Sequence, residues 1–302
     1  MDKRTLIIDT DPGIDDAVAF LILAKYKDDF DIKLFTTTAG NCSIDITTKN
    51  TQFFAEKYFN GVRVAKGYPD PLVRVQPRDA SDVHSAGGLG NYQIPENINY
   101  PVEENSVESM ADVLRNSKDK VTLVTLGAMT NVARLLINYP ELRCKIDKIY
   151  AMIGSIEGKG NIEPYAEFNA YFDPEALDIV AKAGIPMVVN PMELGVASVI
   201  KKDRFVAQET KNETHDMVKT MVCGVKESIG SSDDVCLYDP NTIVALIRPD
   251  LYEFVPCDIE IYTNSEVRGK CVMTRNEKGM HSYQVMKDAE AINQFVLDAL
   301  FN

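Results

Sequence analysis

Four aspartates crowd into eight positions directly behind an apolar run: Asp9, Asp11, Asp15 and Asp16 in "IIDTDPGIDDAVAF" (7–20). At an effective dielectric of 20, two such charges ~4 Å apart repel by about 4 kcal/mol. A fold that keeps them must supply an offsetting interaction. Asp15 and Asp16 fall in the first turn of a helix expected over 14–27, where a carboxylate gains about 0.3–1 kcal/mol from the macrodipole. That explains two aspartates and leaves two over. An EF-hand loop would need oxygen ligands at positions 1, 3 and 5 and glycine at 6. Here Gly13 stands fifth when Asp9 is counted as first, and a strand precedes the cluster. A phosphatase with Asp9 as nucleophile and Asp11 as acid/base would also need a late acidic pair in a Gly-Asp context, and the chain has no Gly-Asp dipeptide. The remaining reading is a hard, oxygen-only metal site suited to Ca²⁺ or Mg²⁺. A cation there would offset the crowding and lower the pKa of bound water beside a carboxylate base.

The elements that position these groups alternate. Apolar strands are expected at 5–9, 30–40, 62–67, 121–131 (running into a turn), 148–155 and 185–190, with helices over 14–27, 44–59 and 106–117. A long polar loop covers 68–104, 203–247 reads as helical, 256–275 alternates like strands, and 288–300 reads as a helix. Strand–helix alternation predicts a parallel sheet with helices on its faces. In such a sheet ligands bind beyond the carboxyl ends of the strands. Asp9 to Asp16, Asn41, Gly127 and the stretch from Gly154 to Asn169 all fall at those ends. No linker or repeat divides the chain, so 1–302 reads as one domain.

A net charge of −13 with no basic tract argues against nucleic-acid binding. No stretch approaches ~20 apolar residues, so no membrane span is expected. The six cysteines form no C-x-x-C pair and read as reduced, mostly buried thiols. The N-terminus has too short an apolar run for a signal peptide, and a cytoplasmic protein is expected.

"DTDPGIDDA" (9–17) resembles the N-terminal signature of the nucleoside hydrolases. The resemblance continues in order through "TTAGN" (37–41), "PLVRVQPRDASDVH" (71–84), "LVTLGAMTN" (123–131), "AMIGS" (151–155), "GNIEPYAEFNAYFDPEA" (160–176) and "YDPNTIVALIRPD" (238–250). It implies an α/β fold, a modified doubly wound (Rossmann-like) domain with a mostly parallel central sheet, in homodimers or homotetramers. It implies hydrolysis of the N-glycosidic bond of ribonucleosides with one bound Ca²⁺.

By position, the resemblance makes Asp11, Asp16, Asp239 and the carbonyl of Leu126 calcium ligands, and Asp11 also the general base. Asp15 would accept from the ribose 2′-hydroxyl. Asn41, Met152, Asn161, Glu167 and Asn169 would hold the ribose, His84 would lie near the nucleobase, and Asp9 would support the cluster from behind. The residue types suit an oxocarbenium-like transition state, which carboxylates stabilise. Taken alone, Asp239-Pro240 and Asp173-Pro174 each read as an N-cap followed by proline at N1, Met152 as core filler, and Asn161 and Glu167 as loop residues. Asn169 reads as a residue at a strand end.

Three departures fall on the leaving-group side. Tyr238 stands where many members carry histidine, and tyrosine titrates too far from neutrality to match general-acid work well. It could stack on the base or hydrogen-bond to it. "HSAGGLG" (84–90) replaces a common His-Gly-Glu-Ser-Gly, and Met192-Glu193-Leu194-Gly195 replaces Leu-Asp-x-Thr. A riboside-binding protein without turnover, or a hydrolase of an atypical N-riboside, are the alternatives these changes leave open. The base-gripping loops are expected around 76–90 and 222–238.

Overall fold

A computed structural model describes residues 3–74, 79–225, 233–264 and 266–302, with Asp82 described by its backbone alone. The chain opens β1 (Arg4–Thr10), α1 (Ile14–Lys25), β2 (Phe30–Thr37), α2 (Ile44–Tyr58) and β3 (Arg63–Ala65). After a long connection bearing the short α3 (Ser81–His84) come α4 (Ser106–Asn116), β4 (Val121–Thr125), α5 (Thr130–Asn138) and β5 (Ile146–Met152). Next are α6 (Phe168–Phe172), α7 (Pro174–Ala181), β6 (Met187–Asn190) and α8 (Met192–Ala197). The last third holds β7 (Ile200–Lys201), α9 (Lys202–Val206), α10 (Glu213–Cys223), β8 (Asp234–Val235) and α11 (Tyr238–Ile247). It closes with β9 (Tyr252–Ile261), β10 (Cys271–Arg275), β11 (His281–Met286) and α12 (Ala289–Phe301).

Nine strands form one sheet in the order β10-β9-β11-β6-β5-β4-β1-β2-β3. The run from β11 to β3 is parallel, and β9 and β10 add an antiparallel edge. The fold is therefore α/β with a mostly parallel sheet, as expected. β1 is buried throughout its second half, as a strand covered on both faces must be. From β1 the chain winds outward through β2 to β3, then returns to place β4 on the other side of β1. That reversal is a switch point, and it leaves a crevice beyond the carboxyl ends of β1 and β4. Two apolar clusters cover the faces of the sheet, one built around Phe20, Phe35 and Phe54 and the other around Leu34, Leu123 and Ile149.

Three expectations change. The stretch 203–247 is interrupted: Asp234–Val235 leaves the helical run to pair antiparallel with Ile200–Lys201, joined by a Lys201–Asp234 ion pair. β11 was not evident in the sequence, because "HSYQVM" mixes polar and apolar residues on both faces. It forms because His281 Nδ1 accepts from the Met187 N–H and its backbone pairs with both β6 and β9. Finally, Asn169 lies in the first turn of α6, not at a strand end, because Glu167 caps that helix.

No disulfide joins any of the six cysteines, and four of them are buried. No helix among the described residues is long and apolar enough to cross a membrane.

Candidate active site

Beyond the ends of β1, β4 and β5 lies a cavity of about 740 Å³, within the range of small-molecule sites. Its lining includes the carboxylates and amides of Asp15, Asp239, Glu167, Asn41, Asn161 and Asn169. It also includes a largely apolar set, Ile14, Val83, Val225, Val235, Leu237 and Tyr238. Leu126, Met152 and His84 also line it, so eleven of the twelve site residues expected from sequence face or adjoin one space: Asp15, Asn41, His84, Leu126, Met152, Asn161, Glu167, Asn169, Tyr238 and Asp239 on its wall, and Asp16 beside them. Asp11 lies immediately behind.

The local folding explains the crowding. Asp16 closes the turn before α1: Oδ1 accepts from the Thr10 hydroxyl at 2.5 Å, and Oδ2 accepts from the Gly13 N–H and the Asn41 amide, each at 3.0 Å. Asp11 Oδ2 accepts from the Asn41 N–H at 2.8 Å, while Oδ1 is buried without a partner. Two glycines make room for this carboxylate. A Cβ at Gly40 would stand 2.1 Å from Oδ2, and one at Gly127 would stand 2.5 Å from Oδ1. Asp9 lies behind the cluster, accepting from the Thr36 hydroxyl at 2.5 Å and the Asn131 amide at 2.7 Å.

Asp239 arrives from the far end of the chain. It lies in the first turn of α11, not at its N-cap; Leu237 holds that place without a side-chain bond. The expected capping role is thus not the one taken, because the helix starts two residues earlier, at Tyr238 instead of Pro240. Asn190 at the end of β6 anchors this turn, donating to the Tyr238 carbonyl at 2.7 Å and to Thr242 at 2.9 Å. Ligand oxygens of Asp15, Asp16 and Asp239 consequently lie within 4.8 Å of one another. Asp15 Oδ1 is shut away from solvent with no partner.

The titrations record the strain. Burial, then its charged neighbours, raises Asp11 well above the usual carboxylate range, and the same two causes act on Asp239. Burial raises Asp9 to about 7 and Asp15 to about 6. Unpaired acceptor oxygens and mutually repelling carboxylates are what a bound cation would relieve. The donor set is oxygen only, so it fits a hard divalent ion.

The residues expected to hold the ribose are tied down by hydrogen bonds to the backbone. Glu167 is pushed up to about 7 by burial, although its carboxylate accepts from the N–H groups of Gly154, Asn169 and Ala170. Asn169 donates to the carbonyls of Leu126 (2.8 Å) and Met152 (3.1 Å). Asn161 Oδ1 accepts from the Phe168 N–H. Asp173 caps α7 through Ala176 and also accepts from Leu72 and Thr130, as its motif suggested.

His84 Nδ1 accepts from the Ile14 N–H at 3.1 Å, which leaves the neutral ring's proton on Nε2. Burial lowers its pKa to about 4. Tyr238 is held far above its ordinary pKa, by burial first and then by neighbours that include Asp15, so its phenol stays protonated. The expected gripping loops at 76–90 and 222–238 lie partly outside the described residues. Sequence reasoning passed over Asn190, Asn131 and the apolar lining; an asparagine at the end of an otherwise apolar strand was the available signal for Asn190.

A family model described as inosine-uridine preferring nucleoside hydrolase matches residues 6–297. The chain is 34% identical over 261 residues to a non-specific ribonucleoside hydrolase RihC of Salmonella paratyphi A, covering 86% of this chain and 84% of the relative. It is 34% identical over 264 residues to the RihC of Escherichia fergusonii, covering 87% and 86%. Among solved structures, a plant nucleoside hydrolase, PpNRh1, superposes with a TM-score of 0.90 at 24% identity, covering 99% of both chains. A purine-preferring ribonucleoside hydrolase from Gardnerella vaginalis gives 0.87 at 20% identity, covering 98% of both. At those identities the two structures speak to the fold.

Proposed function

The chain belongs to the inosine-uridine preferring nucleoside hydrolase family and cleaves the N-glycosidic bond of ribonucleosides; from that premise we propose how its residues divide the work. The observation that carries the proposal is the meeting of Asp15, Asp16 and Asp239 around unpaired oxygens, in a cavity that is also lined by apolar residues. The polar residues take the ribose and the apolar ones take the base.

Asp11, Asp16, Asp239 and the Leu126 carbonyl would hold one Ca²⁺, with Asp15 alongside. The ion would supply electrostatic anchoring for the sugar diol and acidify a water molecule. Asp11 takes the proton of the attacking water. Asp15 accepts from the 2′-hydroxyl, and Asn41, Met152, Asn161, Glu167 and Asn169 frame the sugar. As the C–N bond breaks, positive charge grows on the ribose, and the surrounding carboxylates stabilise it without reorganising.

The leaving base meets Tyr238 and His84. Both are protonated donors held neutral by burial. They can hydrogen-bond to a departing base or stack on it, and the apolar lining suits a heterocycle of either size. The protein acts as one domain, assembles as a homodimer or homotetramer, and works in the cytoplasm.

Free-ribose release from purine and pyrimidine nucleosides, with calcium and after chelation, tests the proposal. Release that stops on chelation and returns with calcium is expected. Release indifferent to chelation would remove the metal from the reaction.

A further inference from the structure

We propose that Gly195 is a positioning residue for Tyr238: its bare backbone forms the seat against which the tyrosine ring lies, and this seat sets the shape of the base-binding part of the cavity. The inference rests on the reading that Tyr238 faces the nucleobase.

A Cβ at Gly195 would stand 2.1 Å from Tyr238 Cδ1, 2.5 Å from Cε1 and 2.8 Å from Cγ. These are atoms along one edge of the ring, including the one nearest the backbone. A small flexing of the ring tip cannot clear them, so an added methyl forces a different side-chain rotamer.

Neither partner can back away cheaply. The Tyr238 carbonyl is fixed by Asn190 at 2.7 Å. α8 is tied to α11 through the Asn241 amide, which donates to Ser198 Oγ at 2.9 Å and to the Leu237 carbonyl at 3.0 Å. Gly195 is buried inside α8, where glycine weakens a helix relative to alanine. Its φ is not in the left-handed region, so backbone conformation does not call for glycine there. The ring contact does. Gly195 does not line the cavity, whereas Tyr238 does, so Gly195 acts from behind the ring.

The test compares wild type, Gly195→Ala, Tyr238→Ala and the double variant, with Tyr238→Phe as an assignment control. The proteins are labelled with 3-fluorotyrosine. Among the 13 tyrosines, the ¹⁹F line missing from Tyr238→Phe is expected to move in Gly195→Ala while lines from remote tyrosines stay; an unmoved line overturns the proposal. In kinetics with inosine and uridine, Gly195→Ala is expected to raise KM about tenfold in the wild-type background and to change it less than about twofold beside Tyr238→Ala. Equal factors in both backgrounds overturn it. Should Gly195→Ala melt early, Tyr238→Ala is expected to restore the melt by removing the clash, and failure to restore it counts against the seat. The ¹⁹F line needs no turnover, so a wild type that releases no ribose would sink the hydrolase reading while the seat is judged on the spectrum.

Discussion

In the proposed division of work, most of the chemistry converges on Asp11. One of its oxygens is spent on the Asn41 N–H and the other is kept empty by the absence of a side chain at Gly127. Asp11→Asn is expected to lower kcat by about 10²–10⁴-fold, the range of a general base, with ribose release as the readout. Tyr238→Phe separates two roles: a large fall in kcat assigns work to the hydroxyl, and an unchanged kcat leaves stacking. The raised carboxylates also predict a pH signature. In the metal-free protein Asp9, Asp15 and Glu167 hold protons to about 7, 6 and 7, above their unfolded values. Between the unfolded and folded pKa values the native state binds more protons, so stability falls as pH rises. Thermal melts of chelated protein should therefore drop from pH 5 to pH 8, and saturating calcium should abolish or reverse that slope.

At the scale of elements, the site depends on how closely strand-end turns approach one another. Gly40 follows β2 and Gly127 follows β4, and both press on the carboxylate that follows β1. Gly127→Ala is expected to cost about 1–3 kcal/mol of stability through overpacking and about 10²-fold in kcat through displacement of Asp11. Denaturant melts and steady-state kinetics measure the two separately. Asp173 joins α7, α5 and the 68–104 connection through three bonds. Asp173→Ala should cost about 2 kcal/mol with Km for nucleoside nearly unchanged. The strands and first helices were legible because their periods are local. β8 and β11 were not, because each exists through a partner strand distant in sequence. The "DTDPGIDDA" signature announced the aspartates, but their partners could not be read from it. Asn190, Thr242 and Asn131 act only once β6, α11 and α5 are packed. Gly195 and Tyr238 were noted as separate departures and prove to touch.

Across the whole molecule, the cavity lining draws on residues from Ile14 to Asp239. Ligand binding to the native state alone stabilises it, by about 2.7 kcal/mol at a hundredfold excess over Kd, so calcium should raise the melting temperature of chelated protein while leaving Asp239→Asn much less affected. The antiparallel edge of β9 and β10 lies at the end of the sheet away from the switch point and adds no residue to the cavity among those described. The late arrival of Asp239 has a further consequence for synthesis. A nascent chain that has emerged only through β6 carries Asp9, Asp11, Asp15 and Asp16 but lacks the third carboxylate of the cation site and the α11 turn that Asn190 anchors. On the ribosome that first part of the chain must therefore carry its repelling charges protonated or solvated until α11 has been made.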